Sequence, residues 1–265
     1  MNSPYEQNRR AWDERVRGKK LYAVPAVDAD FKNPLAVVDQ CGWLGGNVCG
    51  KRLLCLAAGG GRHSALFASA GARVTVVDLS PKMLQLDQDV ADKRGLKIEV
   101  IKASMECMPM LGDGSFEIVI QPVSTCYVPD VLAVYREVAR VMAPSGIYVS
   151  QHKQPASLQG DHASLGGGYL LSEPYYRQGP LPAVSKSSLH REAGTAEFLH
   201  RWEELIGGLC RSGFVVEDLV EPRHADIRAE PGTPSHRAHY IPPFVKIKAR
   251  RTGSSPASAG KLWLP

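Results

Sequence analysis

The six cysteines, at positions 41, 49, 55, 107, 126 and 210, form no CxxC pair and share no metal-ligand spacing. That absence argues against a disulfide framework and a thiolate metal centre; reduced thiols, a cytoplasmic setting and no bound metal are expected. Long hydrophobic runs are missing as well, and the polar opening MNSPYEQNRR has no apolar core of a signal peptide. Neither a membrane span nor secretion is therefore expected. Strong charge of one sign is also lacking, since 32 Lys and Arg against 27 Asp and Glu leave a formal +5. The basic residues cluster near the start (Arg9, Arg10, Arg15, Arg17, Lys19, Lys20) and near the end (Lys246, Lys248, Arg250, Arg251). Such runs read as solvated faces, and no nucleic-acid partner is expected.

Glycine is plentiful where it matters most, in KRLLCLAAGGGRHSALFASAGARVTVVDLSPKML, residues 51–84. Leu53 to Ala57 is a continuous apolar run of strand length, as for a strand covered on both faces. From His63 to Ala70 the chain turns helix-compatible, and Gly71 stops it. Arg73 to Val77 is rich in β-branched residues and predicts a second strand ending at Asp78. Ser80 and Pro81 then open another helix, as N-cap and first helical residue, with Met83, Leu84, Val90 and Ala91 on one face. Strand–helix–strand units of this kind give parallel sheet with right-handed crossovers. The glycines let a ligand approach the backbone at a sharp turn. A carboxylate about twenty residues further on, at a strand tip, suits a pair of ribose hydroxyls. Gly59, Gly61 and Asp78 thus predict a site for a nucleoside-containing cofactor. Ser64 stands where dinucleotide enzymes carry a third glycine, which disfavours NAD and leaves it open.

At 265 residues the chain fits one domain with embellishments. Residues 1–20 pattern as a helix with Tyr5, Trp12 and Val16 on one face, followed by a linker containing Pro25 and Pro34. Further strands are expected at Lys97–Ile101, Glu117–Gln121 and Ile147–Ser150, with a helix over Asp130–Met142. This alternation predicts an open, doubly wound α/β sheet. Residues 153–190 are rich in Gly, Pro and Ser, and a loop that long is commonly functional. A helix is expected over Glu192–Arg211, stopped by Gly213. FVVEDLVEP and HYIPPFVKIKAR predict two last strands joined by the polar stretch 222–238, and a loose tail runs from Thr252.

Over residues 51–251 the chain resembles the class I S-adenosylmethionine-dependent methyltransferases. That family's D-L-G-x-G-x-G pattern is met by Cys55-Leu56-Ala57-Ala58-Gly59-Gly60-Gly61, and its acidic strand tip by Asp78. Met105-Glu106-Cys107-Met108-Pro109-Met110 resembles the loop beside the adenine. Ser115-Phe116-Glu117-Ile118-Val119 resembles S-F-D-x-V, and Arg140-Val141-Met142-Ala143-Pro144-Ser145-Gly146 resembles R-V-L-x-P-G-G. Cys55 replaces the first motif's acid, and Ser104 replaces an aspartate that commonly meets the adenine. The resemblance implies a single Rossmann-like domain over 1–251, with a tail at 252–265. It also implies a seven-stranded sheet of order 3-2-1-4-5-7-6 with one antiparallel strand, and S-adenosylmethionine as cofactor with S-adenosylhomocysteine as product. Its cofactor residues would be Ala57, Gly59, Gly61, Asp78, Leu79, Ser104, Met105, Gln121 and Pro122. Within the family, LCLAAGGG, QPVSTCYVPDV and the late YIPPF resemble a bacterial subgroup.

Methyl transfer from a sulfonium is an in-line displacement that mainly requires positioning and the exclusion of water. His152, after strand five, is a candidate to take a proton from an oxygen or nitrogen nucleophile, or else a strand-end histidine bonded to backbone. Trp12, Tyr127, Tyr175, Tyr176 and His200 are candidates for the substrate pocket. Gln121-Pro122-Val123-Ser124 lacks the Pro-Pro-aromatic run of base amino-group methyltransferases, and no Pro-Cys nucleophile of cytosine-C5 enzymes occurs, so a small-molecule substrate is expected. The N-terminal cap, 1–50, and the insertion, 153–190, are expected to close over the methyl group as one lid. Two other functions fit the same residues: a non-catalytic cofactor-binding protein and an NAD-dependent oxidoreductase.

Overall fold

The computed structural model describes residues 3–161, 163–185, 187–188 and 190–253. Helix α1, Pro4–Arg17, begins where the Ser3 side chain accepts the Glu6 N–H and proline occupies the first turn. Then come α2 Pro34–Val38, β1 Arg52–Leu56, α3 His63–Ser69, β2 Arg73–Asp78, α4 Pro81–Arg94, β3 Ile98–Lys102, β4 Phe116–Gln121, α5 Val131–Val141 and β5 Met142–Lys153. The chain finishes with α6 Pro155–Gln159, α7 Gly208–Arg211, β6 Phe214–Val220, α8 Pro234–Arg237 and β7 Phe244–Arg251.

The seven strands form one sheet in the order β3-β2-β1-β4-β5-β7-β6. The first five pair in parallel, and β7 runs antiparallel to both β5 and β6. The expected architecture is thereby observed. Strands β1 and β2 are buried along nearly their whole length because helices cover both faces. On one side Tyr135, Val138, Leu205 and Leu209 pack on Leu54, Val119 and Tyr148. On the other, Leu44, Val48 and Phe67 pack on Leu53, Cys55 and Val76. Ser80 caps α4 by accepting the Met83 N–H, and Gly95 ends that helix at φ 63. The Ala143–Gly146 stretch lies inside β5, with Ser145 at φ 64 and the β4–β5 register shifting between Phe116 and Ile118. No helix among the described residues is long and apolar enough to cross a membrane.

One predicted helix forms only in its second half. Of Glu192–Arg211, Trp202, the π-helical turn Glu203–Gly207 and α7 are helical, and the residues before them form no helix. Gly194 has φ 88, and the amides beyond it bond to other parts of the fold. The Phe198 N–H donates to the Cys126 carbonyl at 2.7 Å, and the Glu197 carbonyl accepts from Leu181 at 2.7 Å. Tertiary hydrogen bonds and the burial of this segment override its helical propensity. Of the expected tail, 254–265 lies outside the described residues.

Asn8 joins α1 to this extended segment. Its Nδ2 donates to the carbonyls of Tyr127 at 2.9 Å and Ala196 at 3.0 Å, and its Oδ1 accepts from the Ala196 N–H at 2.7 Å. Asn8→Ala leaves those three buried backbone groups without partners. It is expected to lower the unfolding free energy by about 1–3 kcal/mol, measured by urea denaturation.

Candidate functional site

The carboxyl ends of the parallel strands open into a cavity of about 420 Å³. Ala57, Gly59 and Gly60 follow β1, Asp78 and Leu79 end β2, and Ser104 and Met105 follow β3 along its wall. Helix α1 covers it with Tyr5, Asn8, Arg9 and Trp12, a set spaced to share one helix face. At the far end stand Tyr127, Lys153, Glu192, His224 and Phe244. The Trp12 and Tyr127 rings meet edge to face at 5.7 Å. Asp13, one position beyond Trp12, ties the cover down by accepting from Ser80 Oγ at 2.7 Å.

The glycine loop needs its glycines, since Gly60 has φ 118 and Gly61 has φ 71. A Cβ on Gly61 would stand 2.7 Å from the Leu86 carbonyl oxygen, so the loop lies directly against α4. Three successive loop amides point at carboxylates. Gly59 N–H donates to Asp78 Oδ2 at 3.0 Å, and those of Gly60 and Gly61 donate to the two Asp87 oxygens at 2.9 Å each. A pyrophosphate would need such amides for itself, and these are engaged. The loop therefore offers no cradle to a nicotinamide dinucleotide. Asp78 forms no ion pair among the described residues; enclosure raises its carboxyl to about 6, against the pull of the Ser80 and Gly59 amides.

A family model described as a methyltransferase domain matches residues 54–150. The "Uncharacterized methyltransferase YbaJ" of Bacillus subtilis is 31% identical over 237 residues, spanning 84% of this chain and 92% of that protein. The chain belongs to the class I S-adenosylmethionine-dependent methyltransferases. A ubiquinone biosynthesis O-methyltransferase of Bordetella pertussis is 29% identical over 61% of this chain and 64% of its own length. Among solved structures, an S-adenosylmethionine-dependent methyltransferase from Mesorhizobium loti superposes with a TM-score of 0.63 at 24% identity, over 77% of this chain and 93% of that one. Geranyl diphosphate C-methyltransferase from Streptomyces coelicolor A3(2) gives 0.63 at 17%, over 95% and 99%. These two likenesses concern the fold.

The methyltransferase gathers most of the sequence-predicted cofactor residues on one wall: Ala57, Gly59, Asp78, Leu79, Ser104, Met105 and Pro122. Gly61 and Gln121 stand behind it. The Gly61 N–H is turned to Asp87. The Gln121 amide is buried, donating to Ser124 Oγ at 3.0 Å and accepting from the Tyr148 hydroxyl. Of the residues expected in the substrate pocket, Trp12 and Tyr127 line the cavity, whereas His200, Tyr175 and Tyr176 do not. His200 Nε2 is bonded to the carbonyls of Thr125 and Val128 at 2.9 and 3.0 Å. Tyr175 accepts the Trp202 N–H at 3.1 Å, and exposed Tyr176 stacks under Arg201.

His152 requires a correction too. Strand alternation sends it to the α5 side, beside the Tyr135 ring, while its neighbours Gln151 and Lys153 face the cavity. Both ring nitrogens are bonded at 2.8 Å, to Thr125 Oγ1 and Ser150 Oγ, and burial lowers its pKa to about 3. It is a buried, neutral histidine that does not line the cavity. No described residue of 154–188 lines the cavity either, so its cover is α1 and the linker residues Tyr22 and Val24.

The sequence reading missed the polar far end. Lys153 Nζ donates to Glu192 at 2.6 Å and Glu197 at 3.1 Å, Arg191 pairs with Glu197, and the Tyr127 hydroxyl donates to Glu192 at 2.7 Å. All five side chains are buried. Burial works most strongly against the Glu192 anion, yet the Lys153 charge together with the hydrogen bonds of Glu197, Lys153 and Tyr127 holds that carboxyl below the usual range. Alternation along β5 was the available signal for Lys153; nothing local marked Glu192. Lys153→Met leaves two buried carboxylates short of a counter-ion. A loss of about 3–5 kcal/mol is expected on thermal or urea unfolding, well beyond the effect of a surface lysine change.

Proposed function

We propose that this methyltransferase acts on an uncharged small molecule bearing a hydroxyl or amine, with Glu192 receiving the proton. The observation that carries the reading is that, apart from Asp78 at the cofactor end, the charged side chains named along the cavity already have counter-ions. Lys153 is held by Glu192 and Glu197, Arg9 by Glu6 and Asp13, and Arg62 by Asp30. A charged acceptor finds no partner there and loses its hydration. A neutral ring finds Trp12, Tyr127 and Phe244. The Bordetella relative named for O-methylation in ubiquinone biosynthesis supports an oxygen nucleophile.

The residues at the other end fit the cofactor. The Asp78 carboxylate suits two vicinal ribose hydroxyls, Gly59 admits Met83 and Asp78 where a Cβ would stand, and Ser104 and Met105 border the space for the base. When bound, the cofactor supplies an activated methyl carbon. The protein positions the acceptor and excludes water, with α1 as the cover. Transfer would break the donor's S–C bond, its electrons leaving with the neutral thioether, and the acceptor's O–H or N–H proton would pass to the Glu192 carboxylate. Lys153 and Tyr127 keep that carboxylate ionised and oriented.

Calorimetry with adenosylhomocysteine and transfer of labelled methyl to a panel of phenols, amines and carboxylates test the reading. Asp78→Ala is expected to weaken adenosylhomocysteine binding about tenfold or more, since charge-assisted hydrogen bonds contribute roughly 1.5–3 kcal/mol. Because the ionised form accepts those bonds and its carboxyl titrates at about 6, affinity is expected to fall as pH drops through that value. Glu192→Gln is expected to slow transfer by about 10²–10⁴ while adenosylhomocysteine affinity holds. Transfer to carboxylates alone, or full turnover in Glu192→Gln, would reject the proposal.

A further inference from the structure

Asp87 lies in the middle of α4, fully buried and on no cavity wall. Its side chain nevertheless reaches the glycine loop. Oδ2 accepts the Gly60 N–H, which the Met83 carbonyl shares at 3.1 Å, and Oδ1 the Gly61 N–H, both at 2.9 Å, and Oδ1 also accepts from Ser64 Oγ at the start of α3. The two successive amides, in residues at φ 118 and φ 71, converge on one carboxylate, an arrangement of donors that favours an anion. In many nucleotide sites the ligand's phosphate is that anion; here it comes from the protein. Ser64, in place of the third glycine of a dinucleotide loop, supplies the third donor. Asp78 takes the Gly59 amide from the other side, so the loop hangs between two carboxylates.

We infer that Asp87 is a positioning residue for the cofactor: without touching it, the side chain sets the loop conformation on which cofactor affinity depends. The inference rests on reading Gly59 and Asp78 as the cofactor end of the cavity. Burial raises the Asp87 carboxyl to about 7, with Ser64 and the two amides pulling it down and Asp78 pushing it up. Two titratable groups face it, Asp78 from β2 and Cys55 from β1. The Cys55 thiol is itself pushed far up, by burial first and then by the Asp87 charge, and stays neutral. A proton on Asp87 replaces an acceptor with a donor, so the loop is held best by the ionised form.

Three measurements test this on the full chain. In the wild-type protein, the Gly60 and Gly61 amides should exchange with solvent as slowly as those of β2, by NMR at pH 7.5. Asp87→Asn, which keeps the shape but sets an NH₂ group against one of the two amides, should weaken the protection of this pair selectively, the Gly60 N–H retaining the Met83 carbonyl. Its affinity for adenosylhomocysteine, measured by calorimetry, should drop about tenfold or more at pH 7.5. The wild-type affinity should fall as pH drops through about 7, while the variant keeps only the lower step belonging to Asp78. Fast exchange of the two amides in wild type overturns the inference, as does an Asp87→Asn protein that binds like wild type whatever its melting temperature. If the wild type binds no adenosylhomocysteine, the cofactor reading falls, and the exchange data then decide on Asp87 alone. Should the variant not fold, the wild-type exchange and pH profile still decide.

Discussion

Three adjacent backbone N–H groups, on Gly59, Gly60 and Gly61, must find acceptors at the point where the chain leaves β1, and they find Asp78 and Asp87. A buried amide left unpaired is costly, so this pairing constrains everything around it. The two carboxylates lie at the end of β2 and within α4, so the loop fastens the first strand, the second strand and the helix between β2 and β3 together. The left-handed backbone that directs the amides requires glycine at Gly60 and Gly61. The same bonds determine what the cavity can hold. With its amides engaged, the loop has nothing for a phosphate, and the carboxylate of Asp78 is the polar group left facing the ligand space.

The opposite end of the cavity follows a second constraint of the same kind. Lys153 is carried inward by the last position of β5, and a buried ammonium needs anions around it. Glu192 and Glu197 meet that need. To reach it, the chain between them passes through Gly194 in the left-handed region and runs extended along Cys126 and Asn8. A helix over those residues would spread the two glutamates around its axis and away from Lys153. One ion cluster thus explains both the missing first half of the helix and the polar floor beside Tyr127. α1 closes the space between the two ends, and its bonds run to both of them. Asp13 reaches Ser80 at the cofactor end, and Asn8 reaches Tyr127 and Ala196 at the other.

Much of this was legible locally. Leu53–Ala57 and Arg73–Val77 are unbroken apolar or β-branched runs because both faces of the central strands are covered, and such runs need no knowledge of the partners. Ser80-Pro81 announces α4 through the chemistry of its own first turn. The 5, 12 and 16 spacing of Tyr5, Trp12 and Val16 announces α1. His152 shows where local reading ends. Period-two alternation says that His152 and Lys153 face opposite ways, but the choice of side depends on which helices cover the sheet. Tyr175 and Tyr176 sit in an irregular segment with no period at all, so no pattern tied them to one surface or another.

The sequence by itself determined the sheet, its parallel half, the glycine loop and Asp78, because each rests on interactions between residues close in the chain or on the solvent exposure of whole faces. Tertiary structure alone decided which polar groups share the cavity. Lys153 and Glu192 are 39 residues apart, and Asp87 and Gly60 are 27 apart. A lone buried charge is too costly to keep, so each of these groups takes its role from whichever partner the folded chain brings within hydrogen-bonding distance, and that distance is a property of the fold as a whole.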